Sequence, residues 1–252
     1  MVHAYVRIAD ELRRRIADGT YSPGTRLPTL TTLARDHDVS MGVARHAVSA
    51  LLAEGLITTV TGSGTYVREP VPVRRLALER YRRDLMHREG DEPATSFTHD
   101  HALAWSDYRL DCEAHDVEAD SRLAALFGIE QGMHLLEKRL LFWARGVPQQ
   151  QSRTYLLADM VDGTPVADPE REPWPGGSIA QLASLGIAVT RVTESVRARM
   201  PRHDEVDVLQ IASGVPVLAI TRRMFAGERI VEVAADIVIP ADRVVLDYGI
   251  DL

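Results

Sequence analysis

Apolar residues recur at helical spacing along the first part of the chain. Ile8, Leu12 and Ile16 fall every fourth residue, which predicts one apolar stripe on a helix over about residues 5–18. Arg13, Arg14 and Arg15 lie near its C-terminal end, where cations complement the helix dipole. Gly19 and the Ser22-Pro23-Gly24 turn stop it. Thr29 is the natural N-cap of a short helix running to about His37. Ser40 caps a third helix, with Val43, Ala44, Ala47, Leu51 and Leu52 on one face and a stop at Glu54-Gly55. The period then changes. Ile57–Thr61, Gly62-Ser63-Gly64 and Thr65–Arg68 read as a two-stranded hairpin.

Residues 69–80 hold Pro70 and Pro72 among charged residues and read as a linker or a linking strand, and Tyr81–Arg88 reads as a basic helix that begins the second domain. From about residue 94 strands dominate. Thr95–Phe97, Ala104–Leu110, Met133–Trp143, Gln149–Leu157, Ile187–Met200, Val217–Phe225 and Ile230–Ile239 read as strands, with tight turns at Arg145-Gly146 and Gly227. Asp120–Phe127, Ser178–Ser184 and Asp204–Ile211 read as helices. Strands joined by hairpins imply a mostly antiparallel sheet with helices packed on it, so the fold class is α+β. Helix, helix, helix, hairpin at the front is the order of a winged helix-turn-helix.

With 252 residues and 45% hydrophobic residues, the chain can bury the cores of two modest domains. The expected division is 1–69, a linker 70–84, and 85–252. The net charge of -7 is unevenly spread. Residues 1–70 carry 8 Arg against 7 acidic residues, while everything after residue 90 is strongly acidic. That permits a polyanion contact at the front without demonstrating one. A single cysteine, Cys112, excludes an internal disulfide. Without a long apolar run or a secretory leader, the expectation is a cytoplasmic protein that does not enter a membrane. No nucleotide-binding loop, nucleophile elbow or zinc-protease motif is present, so no enzyme activity and no cofactor are expected. His99, Asp100 and His101, with His115 and Asp116 later, have ligand-type side chains. No third ligand is placed with them, so no metal is expected.

Particular residues carry a family resemblance at the front. They are Tyr5-Val6-Arg7-Ile8-Ala9-Asp10-Glu11-Leu12, Pro23-Gly24-Thr25-Arg26-Leu27-Pro28, Arg45, Ala50-Leu51-Leu52-Ala53-Glu54-Gly55-Leu56-Ile57 and Gly62-Ser63-Gly64-Thr65-Tyr66-Val67. This stretch resembles the DNA-binding domain of GntR-family bacterial transcription regulators. The resemblance implies a recognition helix beginning at Ser40, with Arg45 one turn in, where a guanidinium can fork onto guanine O6 and N7. The implied DNA-binding residues are Thr29, Thr31, Arg35, Ser40, Met41, Gly42, Arg45, His46, Gly62, Ser63, Gly64 and Thr65. Thr31 and Met41 stand where the family often has arginines, and Ser63 replaces a basic wing residue. Fewer cations neutralise fewer phosphates and flatten the salt dependence.

Residues from about 85 to 250 resemble the UTRA effector domain of the HutC-type branch, whose fold is chorismate-lyase-like. The matching runs include Ala124-Ala125-Leu126-Phe127-Gly128, Gly146-Val147-Pro148, Gly214-Val215-Pro216 and Pro240-Ala241-Asp242-Arg243. The resemblance implies an effector pocket lined by Thr95, Ser96, Arg139, Ser152, Tyr155, Arg191 and Glu232. Leu141 and Ser152 replace an arginine and a glutamate of phosphosugar-binding relatives, which points to a bulkier or less charged ligand. Arg139 and Arg191 remain open to a purely structural ion-pair role, and Glu232 to that of a surface carboxylate.

The expected function is that of a transcription regulator, a repressor that leaves operator DNA when a small-molecule effector binds. The expected partners are double-stranded DNA, an effector (an anionic metabolite is one class) and a second copy of the chain. The alternative is a metabolite sensor or protein-interaction module with weakened DNA binding; an enzyme related to chorismate lyase is the remote third.

Overall fold

A computed structural model of the chain describes residues 3–60, 62–68, 73–75, 80–81 and 93–248. The chain forms two compact units. The first comprises Met1–Val71 together with Met200–Pro216, and the second Pro72–Arg199 with Val217–Leu252.

In the first unit, α1 (Ala4–Ala17), α2 (Leu30–Asp36) and α3 (Met41–Ala53) precede a hairpin of β1 (Ile57–Val60) and β2 (Gly64–Val67). Thr29 and Ser40 cap α2 and α3 by accepting hydrogen bonds from Thr32 N and Val43 N. Ile8 and Leu12 of α1 pack with Leu33 of α2, Ala44, Ala47 and Leu51 of α3, and Ile57 and Val67 of the hairpin. The two small alanines let α1 and α3 approach closely. Arg13 of α1 also reaches Glu54 at 2.7 Å.

The second unit is built on a six-stranded antiparallel sheet. Its strands are β4 (Tyr108–Glu118), β5 (His134–Ala144), β6 (Val147–Leu157), β7 (Arg191–Arg199), β8 (Val217–Ala226) and β9 (Arg229–Pro240), in the order β4-β5-β6-β9-β8-β7. A separate parallel pair joins β3 (Val73–Arg75) to β10 (Val244–Leu246). The helices are α4 (Ser96–Asp100), α5 (Ser121–Phe127), α6 (Ala158–Val161) and α7 (Gly177–Ser184), while α8 (His203–Leu209) belongs to the first unit. One face of the sheet buries Leu135, Tyr155, Leu157 and Val233 beneath α5. The other buries Leu136, Leu156, Met224 and Val231 beneath α6, α7 and the loop between them.

Three expectations change. Thr95–Phe97 is not a strand; Thr95 caps α4 through a capping box in which Thr95 and Thr98 exchange side-chain and backbone hydrogen bonds. The strand expected over Ala104–Leu110 starts only at Tyr108, after a short 3-10 turn, and runs on to Glu118. The strand expected over Ile187–Met200 is confined to Arg191–Arg199. Residues 82–88 of the basic helix expected at Tyr81–Arg88 lie outside the described residues.

Candidate functional site

Two regions concentrate chemistry. The first is the outer surface of the first unit. Ser40 caps α3, whose opening residues Met41 and Gly42 are exposed, and Arg45 and His46 follow, also exposed. His46 stacks on Tyr5 with ring centroids 4.4 Å apart. Thr31 and Arg35 lie exposed on α2, with Arg35 paired to Asp36 at 2.9 Å. At the hairpin tip Gly62 and Ser63 are exposed, and the Ser63 hydroxyl lies 2.6 Å from that of Tyr66. Gly64 (φ +135°) leaves no room for a Cβ, which would meet Arg26 Nε at 2.6 Å. An exposed guanidinium therefore lies against the base of the wing, a cation that the sequence pattern did not single out. Thr65 lies beside it and pairs with Thr59 across the hairpin.

The second region is a cavity of about 80 Å³ within the second unit. Alternation along the strands directs Lys138, Leu140 and Phe142 of β5, and Ser152, Thr154 and Leu156 of β6, to its wall. Arg222 of β8 and Glu232 of β9 complete the sheet side. Thr95, Ser96 and Phe97 open α4 at another wall, and Glu172, Trp174, Ser178 and Gln181 come from α7 and the loop before it. Arg75, Arg80 and Tyr81 close the remainder.

The electrostatics of this cavity are paired throughout. Arg75 meets Glu194 at 2.5 Å, Arg80 meets Asp100 at 2.7 Å, Lys138 meets Glu172 at 2.9 Å and Arg222 meets Glu232 at 2.6 Å. Buried ions need such partners, because desolvation penalises each of them separately. Burial alone pushes the Glu194 carboxyl up, but Arg75 and Tyr81 outweigh it and hold it below the ordinary range. At Asp100 burial prevails over Arg80 and Arg75, and the carboxyl lies above its ordinary value. Lys138, the sole lysine of the chain, is almost fully buried. Three donors are left over. Nε of Arg75, Arg80 and Arg222 is buried without a hydrogen-bond partner.

The residues expected for the pocket divide. Thr95, Ser96, Ser152 and Glu232 line the cavity. Arg139, Tyr155 and Arg191 do not. Strand alternation turns Arg139 to the opposite face from Lys138, where it bonds Glu137 at 2.9 Å, and Tyr155 donates to the same buried Glu137 at 2.8 Å. Arg191 stacks over Phe225 with 4.0 Å to the ring centroid, half-exposed. Sequence reasoning missed Lys138 by one position, although a lone lysine among 28 arginines was its signal. Arg75, Arg80 and Tyr81 gave no local signal, because their partners lie far along the chain. Among the described residues no group of side chains is arranged to hold a metal ion, and no helix is long and apolar enough to cross a membrane.

A winged helix-turn-helix joined to a sheet domain with a buried, charged cavity defines a ligand-sensing regulator architecture. The family comparisons agree with it. Residues 4–67 match the model for bacterial regulatory proteins of the gntR family, and residues 112–244 match the UTRA domain. A transcriptional regulator of Streptomyces coelicolor is 30% identical over 219 residues, covering 85% of this chain and 80% of its own. The histidine utilization repressor of Pseudomonas putida is 28% identical over 239 residues, covering 95% and 88%. A solved GntR-family transcriptional regulator superposes with a TM-score of 0.67 at 33% identity, covering 99% and 98%. The chain belongs to the gntR family of bacterial regulatory proteins, in its HutC-type branch with a UTRA domain.

Proposed function

We propose that this protein is a cytoplasmic repressor that binds double-stranded operator DNA as a homodimer and releases it when a small molecule enters the UTRA cavity. Residues 1–69 would contact DNA, 70–84 would connect, and 85–252 would sense the effector and hold the dimer. The observation that carries the proposal is the cavity walled by Arg75, Lys138, Arg222 and Glu232, in a chain that also presents an exposed, capped α3. A concave pocket with convergent polar groups is where a small molecule binds, and the winged helix-turn-helix supplies the output. Relatives named as repressors favour repression over activation.

Four cations facing four carboxylates leave the cavity close to neutral. This favours a polar effector of low net charge, one that offers an anionic oxygen together with a donor, over a multiply charged phosphate ester. The test is an anisotropy titration against the intergenic DNA beside the protein's own gene, at two salt concentrations. Competitor-resistant binding with two chains per site, relieved by a metabolite, supports the proposal. Weak, purely salt-governed binding would instead support a sensor whose DNA recognition has lapsed, a reading kept alive by Thr31, Met41 and Ser63.

A further inference from the structure

The segment that follows the winged helix-turn-helix supplies part of the cavity wall. Five residues separate Val67, at the end of the hairpin, from Val73, where β3 begins. β3 is held parallel to β10, with Arg74 bonded to Asp247 at 2.6 Å. Arg75 then turns inward, and Tyr81 follows it into the cavity wall.

Tyr81 is buried, and its hydroxyl is fully used. It donates to Glu194 Oε1 at 2.7 Å and accepts from Arg222 Nη1 at 3.3 Å and Arg75 Nη2 at 3.4 Å. One hydrogen and two lone pairs are the whole capacity of a phenol. Its ring is also covered by the guanidinium of Arg222, 5.6 Å from the centroid, and by that of Arg80 at 5.5 Å. A neutral phenol oxygen thus occupies two guanidiniums of the cavity wall, each of which keeps an unmet Nε donor. A charged oxygen on the same guanidiniums makes the stronger bond. The cavity of about 80 Å³ is also several-fold smaller than the ~300 Å³ at the lower end of ordinary ligand sites. Of its walls, the sheet strands carry ladders on both sides, and the Tyr81 hydroxyl is held by side-chain hydrogen bonds.

We propose that Tyr81 is a competitive latch: an effector bearing a carboxylate oxygen takes Arg75 and Arg222 from the Tyr81 hydroxyl and so displaces Tyr81 from the cavity wall. This rests on the reading of the cavity as the effector site. Tyr81 is a positioning residue, and its removal should strengthen ligand binding, which a merely structural tyrosine would not do.

The experiment uses the full chain as wild type, Tyr81→Phe and Arg222→Gln, each confirmed folded by its thermal transition. Glycine, as a compact carboxylate zwitterion, and inorganic phosphate are the probes, followed by tryptophan fluorescence, because Trp174 lines the cavity. Hydrogen exchange of residues 73–75 and 80–81 is read in parallel. The expected result is saturable binding of at least one probe that is on the order of tenfold tighter in Tyr81→Phe and abolished in Arg222→Gln. Exchange at residues 80–81 should rise in Tyr81→Phe without any probe, and in wild type on adding the probe. Equal or weaker probe binding by a folded Tyr81→Phe overturns the latch while leaving the cavity reading intact. No saturable binding of either probe in wild type and Tyr81→Phe alike overturns both.

Discussion

At the residue scale, strand parity decides which cation faces the cavity and which lies on the opposite face of the sheet. Arg139 and Lys138 are neighbours, yet Lys138 is buried at the cavity and Arg139 is half-exposed beside Glu137. The sequence shows an adjacent Lys138-Arg139 pair but not which of the two faces the cavity, since β5 is apolar on both sides. Arg139→Ala should therefore leave the effector response unchanged and lower stability by about 1 kcal/mol, because Glu137 loses one partner and keeps Tyr155. Urea denaturation and effector titration of the same variant check it. On DNA, Arg45→Ala should cost about 1–3 kcal/mol on the operator and little on random DNA, as expected for base recognition. Arg26→Ala should weaken both equally and reduce the salt slope by about one, as expected for a phosphate contact from the base of the wing. Anisotropy on both DNAs at several salt concentrations separates the two roles. Interchanged outcomes would exchange the assignments.

At the element scale, the winged helix-turn-helix was legible almost residue by residue, because caps and glycines mark its boundaries locally. Ser40, Thr29 and Gly55 act within three or four residues of the ends they define. Two elements of the second unit were not legible. β4 is an edge strand, polar along Asp111–Glu118, and no buried face marks its second half. The Thr95-Ser96-Phe97 run has strand-forming residues, but its capping box with Thr98 wins locally and builds α4. His101 caps the C-terminus of α4, and its ring lies tilted against that of Phe97 with centroids 4.1 Å apart. Burial, then Arg80 and Arg145, hold its imidazolium down to about 4. The unfolded chain binds that proton near its ordinary value of 6.5, so stability is complete above about pH 6.5 and is lost as the pH falls toward 4. The loss should be about 2 kcal/mol for this half-buried group, and His101→Gln should remove that part of the acid sensitivity in urea melts at pH 7 and pH 5. Gly214 lies in the 200–216 segment of the first unit, with φ +81° and its Cα against the Ala53 carbonyl at the end of α3. Gly214→Ala should raise hydrogen exchange in both 50–55 and 200–216. Gly227→Ala, equally left-handed at φ +61° but facing open space, bears the backbone strain alone and is the control.

At the scale of the whole molecule, the change of periodicity near residue 94 marks two domains, but not how the chain between them takes part. Arg75 and Tyr81 reach Glu194 across 119 and 113 residues, and no periodic pattern encodes a contact that long. The same arrangement makes sensing separable from DNA binding. Lys138 and Glu172 form a buried pair at the cavity, remote in sequence from α3 and from the wing. Removing one partner would strand a buried charge, whereas removing both keeps the fold close to its original stability. In the double variant Lys138→Met with Glu172→Gln, the new amide oxygen keeps an acceptor for the Trp174 backbone N–H, and Gln181 must turn its own amide so that its oxygen accepts from the new NH2, because Glu172 now serves the two donors with separate oxygens. It should melt near the wild-type temperature, bind operator within about twofold of wild type, and lose the effector-driven release, whose full size is about 5–150-fold for a coupling of this kind. Operator titrations with and without effector measure both quantities on one sample. Retained release would remove this pair from the effector site. Lost operator affinity in the absence of effector would mean that the pair also sets the resting state of the DNA-binding unit.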